Sequence, residues 1–363
     1  MSRPLRTTAR RHLRHGAGAN THFLLDPSVY TLRKVPNPAI LQAIDYLNIG
    51  YVRERYWPND TGQKAAFAAL SARGVGLFLF IGDMSYSADR VRAEVAALAQ
   101  SPVADSVVAV CGPNEANKDQ SGTWPARAVM IQQAIYTEVF NHPTFSRHVA
   151  VVGPALKHYV PDIDRDFRAL RAAGIIRWCT AGDFHFYPGN AGPHLNASEA
   201  QRARQAFGDL PLWHSETGWT GADTDPATAG RFSVEALLRN RLTGIVGTLL
   251  YEFADESQYL PGREGLFGLR KPTQPKPAYT MIHTLLAAPD GGQPFHGWLA
   301  EYAPGVESDV GAVVTSEGGG TWTVYLMRKN QGHVTIVYQT ASGVTQRRTV
   351  SLGSSMVIVT LTS

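Results

Sequence analysis

The amino-acid sequence predicts a (β/α)8 barrel followed by a small antiparallel β domain. Three observations carry that expectation. Eight strand-then-helix units follow one another within about 270 residues, the count and length of a closed barrel. The strand runs, such as 75–81 (VGLFLFI) and 245–253 (IVGTLLYEF), are apolar on both faces, as parallel strands covered by helices are. Beyond about Pro289 that pattern gives way to short alternating runs punctuated by Gly, Asn and Ser. The expected division is a basic tail over 1–16, a barrel over 17–288 and a β-sandwich-like domain over 289–363.

The units read in order. Residues 15–25 (HGAGANTHFLL) form a first strand. Asn37-Pro38 opens a helix, with Asn as N-cap and Pro at the first helical position, and Gly50 closes it. Its apolar residues Ile40, Leu41, Ile44 and Leu47 have helical spacing. Strand two is 51–57 (YVRERYW), followed by a helix over 63–72. Strand three is 75–81, and its helix carries Val91, Val95 and Leu98 on one face. Strand four is 107–110, with Ile131, Ile135 and Val139 marking the next helix. Strand five is 149–152, and Ile163, Phe167 and Leu170 mark a helix that Gly174 closes. Strand six lies within 178–187, before a helix over 198–207. Strand seven ends in Leu212-Trp213-His214-Ser215-Glu216, before a helix beginning at Pro226. Strand eight is 245–253, and the last helix spans 278–286. An open doubly wound sheet is the rival architecture, but it would usually carry a Gly-rich phosphate turn after its first strand. Here His15-Gly16-Ala17-Gly18 opens that strand and does not follow it. In the last domain, 313–314, 322–326, 334–338 and 357–361 alternate, with turns at 318–320, 330–332, 342–343 and 353–354.

Charge excludes some partner classes. The formal net charge is +4, yet Arg3, Arg6, Arg10, Arg11 and Arg14 all fall in the first 16 residues with no acid among them. Without them it falls from +4 to −1, so the basic balance belongs to a solvated arm and implies no nucleic-acid-binding face. Arg10-Arg11 has no apolar stretch after it, so it does not read as an export signal. No apolar run is long enough to span a membrane. Cys111 and Cys179 each end an apolar run and read as buried free thiols. Neither compartment nor oligomeric state is legible.

In a barrel of this kind the C-terminal ends of the strands line the site. Those ends carry Asn20 and His22, Arg53 and Arg55, Asp83, Asn114 and Glu115, His185 and Tyr187, His214 and Glu216, and Glu252 and Asp255. Glycoside hydrolysis needs two carboxyls flanking one bond, and Glu115 and Glu216 are the candidates. Trp57, Trp124 and Trp219 offer apolar faces for a pyranose. Asp162-x-Asp164-x-Asp166 lacks the glycine and distal Glu of a calcium loop and reads as the acidic start of a helix. His185 and His214 lack metal-protease spacing, so neither metal nor cofactor is expected.

Four motifs resemble those of the clan A, or 4/7, superfamily of retaining glycoside hydrolases, closest to its family 39 and family 5 patterns. Gly112-Pro113-Asn114-Glu115-Ala116-Asn117 is similar to G-x-N-E-P-N, with Ala116 where Pro is usual. Ser215-Glu216-Thr217-Gly218-Trp219 resembles T-E-x-G-W, and Asp183-x-His185-x-Tyr187 the strand-six H-x-Y. Gly268-Leu269 with Pro275-Lys276-Pro277-Ala278-Tyr279 resembles the entry to the last helix. Strand eight departs from it, reading Tyr251-Glu252-Phe253 where family 5 usually carries a Trp platform. The resemblance implies a retaining glycosidase acting on an oligosaccharide, polysaccharide or glycoside. Glu115 would be the acid/base, Glu216 the nucleophile, and Asn114 the partner of the sugar 2-hydroxyl. His22, Arg53, Arg55, Trp57, His185, Tyr187, His214, Trp219 and Glu252 would join Asn114 in binding substrate, with Arg53 or Arg55 holding Glu216 anionic. A transglycosylase using the same pair, or a catalytically silent carbohydrate-binding barrel, are the alternatives.

Overall fold

A computed structural model describes residues 3–5, 13–23, 30–32, 35–119, 121–158, 162–256, 267–271, 273–287, 295, 297–300, 310–328, 332–340, 342–353 and 356–362. Eight strand–helix units follow in order. They are β1 (Ala17–Asn20) and α1 (Pro38–Leu47), β2 (Tyr51–Arg55) and α2 (Thr61–Ser71), β3 (Gly76–Phe80) and α3 (Ala88–Ala99), and β4 (Val107–Cys111) and α4 (Trp124–Asn141). Then come β5 (Ala150–Val152) and α5 (Ile163–Ala172), β6 (Gly182–His185) and α6 (Asn196–Phe207), β7 (Leu212–Thr217) and α7 (Pro226–Leu242), and β8 (Ile245–Leu250) and α8 (Pro277–Leu286). The strands pair in parallel in the order β5-β4-β3-β2-β1-β8-β7-β6. A parallel bridge from Val152 to Ala181 joins β5 to the start of β6 and closes the ring.

Local chemistry explains the helix starts. Asn37, Asp60, Ser87, Asp162 and Asp225 each accept a first-turn amide proton with the side chain, satisfying donors that the helix cannot. Asp162 is thus an N-cap, with Asp164 and Asp166 in the first turn of α5, where the helix dipole favours acids. Two ends differ from expectation. Asn48, in left-handed backbone at φ 56°, closes α1. Gly50 serves another need, since a Cβ there would overlap the carbonyl oxygen of Arg14. The first strand is also shorter, because Leu13 and Arg14 form a helical turn before it; Leu24 and Leu25 lie outside the described residues.

The barrel interior is filled by Tyr51, Phe78, Ala109, Cys111, Val152, Ala181, Trp213 and Leu249. The outward faces of the strands pack on the helices, with Ile40, Ile44, Leu70, Val91, Leu98, Ile135 and Val139 fully or nearly fully buried. Both cysteines are buried and unpaired. No helix among the described residues is long and apolar enough to cross a membrane.

The last domain is two antiparallel sheets sharing one core. Its strands are β9 (Gly297–Ala300), β10 (Val310–Gly318), β11 (Thr321–Arg328), β12 (Gly332–Gln339), β13 (Thr345–Leu352) and β14 (Val357–Thr362). One sheet runs β10-β11-β14 and the other β9-β12-β13. Gly319 and Gly320 take positive φ to make the β10–β11 turn; residues 330–331 and 354 of two expected turns lie outside the described residues. Val314, Trp322, Val324, Leu326, Val334, Ile336 and Leu361 meet between the sheets. Val313, Tyr325, Met327 and Met356 instead belong to the core that includes α7 and α8 of the barrel. The solvated arm expected for the basic tail is corrected in part. Arg3–Leu5 is a strand on the edge of β9, with Arg3 opposite Leu299 and Leu5 opposite Gly297. Arg6, Arg10 and Arg11 lie outside the described residues.

Candidate active site

Alternation along β2 sends Arg53 into the barrel mouth and Glu54 to the outer layer. Arg53 is 2% exposed. Its Nη1 donates to Glu216 Oε1 at 2.7 Å and to Asn20 Oδ1 at 2.8 Å, and its Nη2 donates to Asn114 Oδ1 at 2.6 Å. One guanidinium thereby fixes three strand ends. Burial opposes its charge, but Glu216, Cys111 and Asp183 more than offset this and raise its proton affinity. Tyr187 donates its hydroxyl to the other oxygen of Glu216, Oε2, at 2.7 Å. Both acceptor edges of Glu216 are therefore engaged by donors.

A shift of register positions Glu216. Along β7, Leu212 and His214 face the helices while Trp213 enters the barrel interior. Strict alternation would turn residue 216 outward with them. The pairing with β6 instead slips by one between His214, opposite Phe184, and Glu216, opposite His185. Ser215 and Glu216 consequently both reach the mouth, the use to which bulged strands are put beside functional sites.

His185 is the hub between the carboxylates. Its Nδ1 lies 3.3 Å from Glu115 Oε1 and 3.3 Å from Glu216 Oε2. Its Nε2 lies 3.1 Å from Ser215 Oγ, which in turn donates to Asp183 Oδ2 at 2.6 Å. Because the single Ser215 proton goes to Asp183, Nε2 of His185 must donate to Ser215. The facing atoms of Glu115, His185 and Glu216 all lie within 4.8 Å of one another. Glu115 also pairs with Lys118. Burial pushes the Glu115 carboxyl up, but His185 and Lys118 outweigh it and hold it at about 2. Burial raises Asp183 to about 6 against the pull of His185 and Arg53. Glu115 itself takes left-handed backbone, at φ 50°, a conformation that costs a non-glycine residue about 1–2 kcal/mol.

Several expected residues stand elsewhere. Arg55 does not reach Glu216; its guanidinium lies 4.0 Å from the Trp57 ring and 3.7 Å from Asp83. His214 is turned out of the mouth, its Nδ1 accepting from Asn240 and its Nε2 donating to the Phe186 carbonyl. Burial lowers it to about 3, so it is neutral and structural, which corrects its expected role in binding. Trp124 is packed in the core beside Ala128 and Phe167, which removes it as a platform. Trp219 donates its indole proton to the Gly189 carbonyl, lies against Phe232 and lines a cavity of about 270 Å³ with Tyr251 and Phe267. Glu252 is fully buried, joined to Tyr251 by a cis peptide bond, and faces His22 rather than the mouth. Lys118 and Glu256 were not singled out from the sequence, and Asp183 only as part of the strand-six motif, without a role. Lys118 had a local signal, three residues after Glu115 in a helical turn; Asp183 and Glu256 act through partners distant in the chain.

No protein-family model matches the chain, and no curated protein matches it in sequence. Solved structures do share its shape. A family 39 glycoside hydrolase from Bacteroides cellulosilyticus WH2 superposes with a TM-score of 0.61 at 13% identity, over 98% of this chain and 81% of its own. A family 51 alpha-L-arabinofuranosidase from Bifidobacterium longum gives 0.62 at 12% identity, over 99% and 97%. A family 17 beta-1,3-glucanosyltransferase from Rhizomucor miehei gives 0.53 at 18% identity, over 73% of this chain and 97% of that one. At such identities the likeness establishes the fold: a (β/α)8 barrel with a small β domain, an architecture that clan A glycoside hydrolases also use.

Proposed function

We propose that this chain is a retaining glycoside hydrolase that cleaves an O-glycosidic bond by double displacement, with Glu216 as nucleophile and Glu115 as acid/base. The observation that carries the reading is the pair itself. Two carboxylates on opposite strands of the mouth approach within 4.8 Å, and each has different partners. Retaining enzymes hold their carboxyls about 5–5.5 Å apart, whereas inverting ones need about 6.5–9.5 Å to admit a water. Arg53 and Tyr187 favour the ionised Glu216 that attack on the anomeric carbon requires. Asn114, oriented by Arg53, has its amide nitrogen available for the sugar 2-hydroxyl, a contact that strengthens in the transition state.

With Lys118 and His185 beside it, Glu115 is ionised at neutral pH in the free protein. Proton donation to the leaving oxygen therefore requires substrate to displace Lys118. Once Lys118 is displaced, Glu115 takes up one proton from solvent and passes it to the leaving oxygen as the glycosidic bond breaks. In the second step the same carboxylate accepts a proton from water, and water attacks the glycosyl-enzyme ester on Glu216.

The test is product stereochemistry on an activated aryl glycoside chosen by screening several sugars. Glu216→Ala with azide is expected to give a glycosyl azide of inverted configuration. Glu115→Ala with azide is expected to give the retained isomer, with activity lost mainly on substrates with poor leaving groups. The reverse outcome exchanges the two roles, and full activity in either variant removes the pair.

A further inference from the structure

A second cluster of ionisable groups lies outside the Glu115–Glu216 pair. His22 follows β1, and Glu252 and Glu256 follow β8. Nδ1 of His22 is 2.7 and 2.8 Å from the two oxygens of Glu256 and 3.5 Å from Oε2 of Glu252. Glu252 is 0% and Glu256 2% exposed. Neither oxygen of Glu252 has a hydrogen-bond partner among the described residues. A buried carboxyl without one is costly, so the group calls for a partner. Glu54 adds a third carboxyl nearby, pushed up to about 7 by burial, although its own oxygens already accept from Thr21 and from the amides of Phe23 and Arg55. No lysine or arginine among the described residues pairs with this cluster.

We propose that His22, Glu252 and Glu256 bind one divalent first-row cation of the zinc type, through His22 Nδ1 and one oxygen from each glutamate. The three ligand atoms lie within 4.8 Å of one another. Metal–ligand bonds of about 2.0–2.2 Å fit inside that span. An imidazole with two carboxylates is a donor set that zinc accepts. Binding displaces to solvent the proton that His22 Nδ1 now directs at Glu256, together with any proton on Glu252. The Glu115–His185–Glu216 group has similar spacing but different chemistry. Its carboxylates are already matched by Arg53, Tyr187 and Lys118, so an added cation would have to displace a protein charge. In the His22 cluster two carboxyl groups face one imidazole, and His22, its side chain 14% exposed, is the member that solvent reaches. The cation would tie the end of β1 to the segment after β8, and the site stands whether or not the chain is a glycosidase.

The full chain, stripped with a chelator, incubated with zinc chloride and desalted, is expected to retain about one equivalent of zinc by elemental analysis and to unfold at a higher temperature than the stripped protein. Glu252→Gln and Glu256→Gln preserve side-chain shape; with folding checked by circular dichroism, each is expected to weaken zinc binding about tenfold or more. Glu216→Gln is expected to retain the metal. Wild-type protein that keeps no zinc overturns the proposal whatever the variants do. Zinc kept by both Glu252 and Glu256 variants but lost in Glu216→Gln also overturns it, moving the metal to the barrel mouth.

Discussion

Charge arrangement around Glu115 makes Lys118 the most informative single residue. With His185 it favours the ionised carboxyl, and a neutral residue there weakens that preference. Lys118→Met is therefore expected to raise the pKa of Glu115 and move the alkaline limb of kcat/KM to higher pH. A pH–rate profile checks this; an unchanged or lowered alkaline limb separates Lys118 from the acid/base group. Arg53 acts differently, by tying Glu216, Asn20 and Asn114 together. Arg53→Lys keeps the charge but loses the planar fork, so kcat is expected to fall by about 100-fold or more, with Tm changed far less. His214 provides a stability test. Its folded pKa of about 3 lies below the unfolded value near 6.5, so between those values the unfolded chain binds a proton that the folded chain refuses. Stability must then fall as pH drops below about 6.5. His214→Gln is expected to lose about 1–3 kcal/mol at pH 7 from broken hydrogen bonds. It should also lose stability less steeply than wild type between pH 6.5 and 4 in denaturant titrations.

Among elements, β7 is the one on which the site turns. The one-residue slip that brings Glu216 inward is supported from the next strand by contact between Gly218 and the Tyr251 backbone, where a Cβ would overlap the Tyr251 carbonyl. Gly218→Ala must push the end of β7 away from the segment after β8. A displacement of that order costs about 100-fold in turnover when it misplaces a reacting group. The expected result is a folded protein with kcat reduced by that factor; wild-type kcat would show that the end of β7 tolerates the shift. Trp213 stacks edge-on against Tyr51 and Phe78 inside the barrel, which anchors the same strand one turn of pleat below.

For the whole molecule, the β domain is part of the barrel's packing. Val313, Tyr325, Met327 and Met356 share a core with α7 and α8, and the amide of Met356 donates to Oε2 of Glu235, a buried glutamate of α7. Removing residues 289–363 would uncover that apolar surface and leave Glu235 without one of its donors. The truncated chain is expected to be largely insoluble, or to unfold well below the full chain. A soluble fragment with the full-length Tm would make the two regions independent.

Much of this architecture is legible in the sequence because it is encoded locally. The period of apolar residues, the Asn, Asp and Ser caps and the acids after strand ends depend on neighbours a few residues away. They sufficed to anticipate eight units, the terminal β region and the polar rim that includes Glu115, Glu216 and Arg53. Tertiary structure decided what depends on partners far along the chain. Alternation alone could not reveal that a slipped pairing turns Glu216 inward while leaving His214 against Asn240, because register is set by β6 and not by β7 itself. The aromatic faces of Trp57 and Trp124 looked alike in sequence, yet one carries Arg55 and the other is packed in the core. Arg3–Leu5 pairs with Gly297–Ala300, and Glu252 and Glu256 converge on His22, across more than half the chain. Backbone pairing and charge both act through space, and no local pattern records which distant segment the fold brings within their reach.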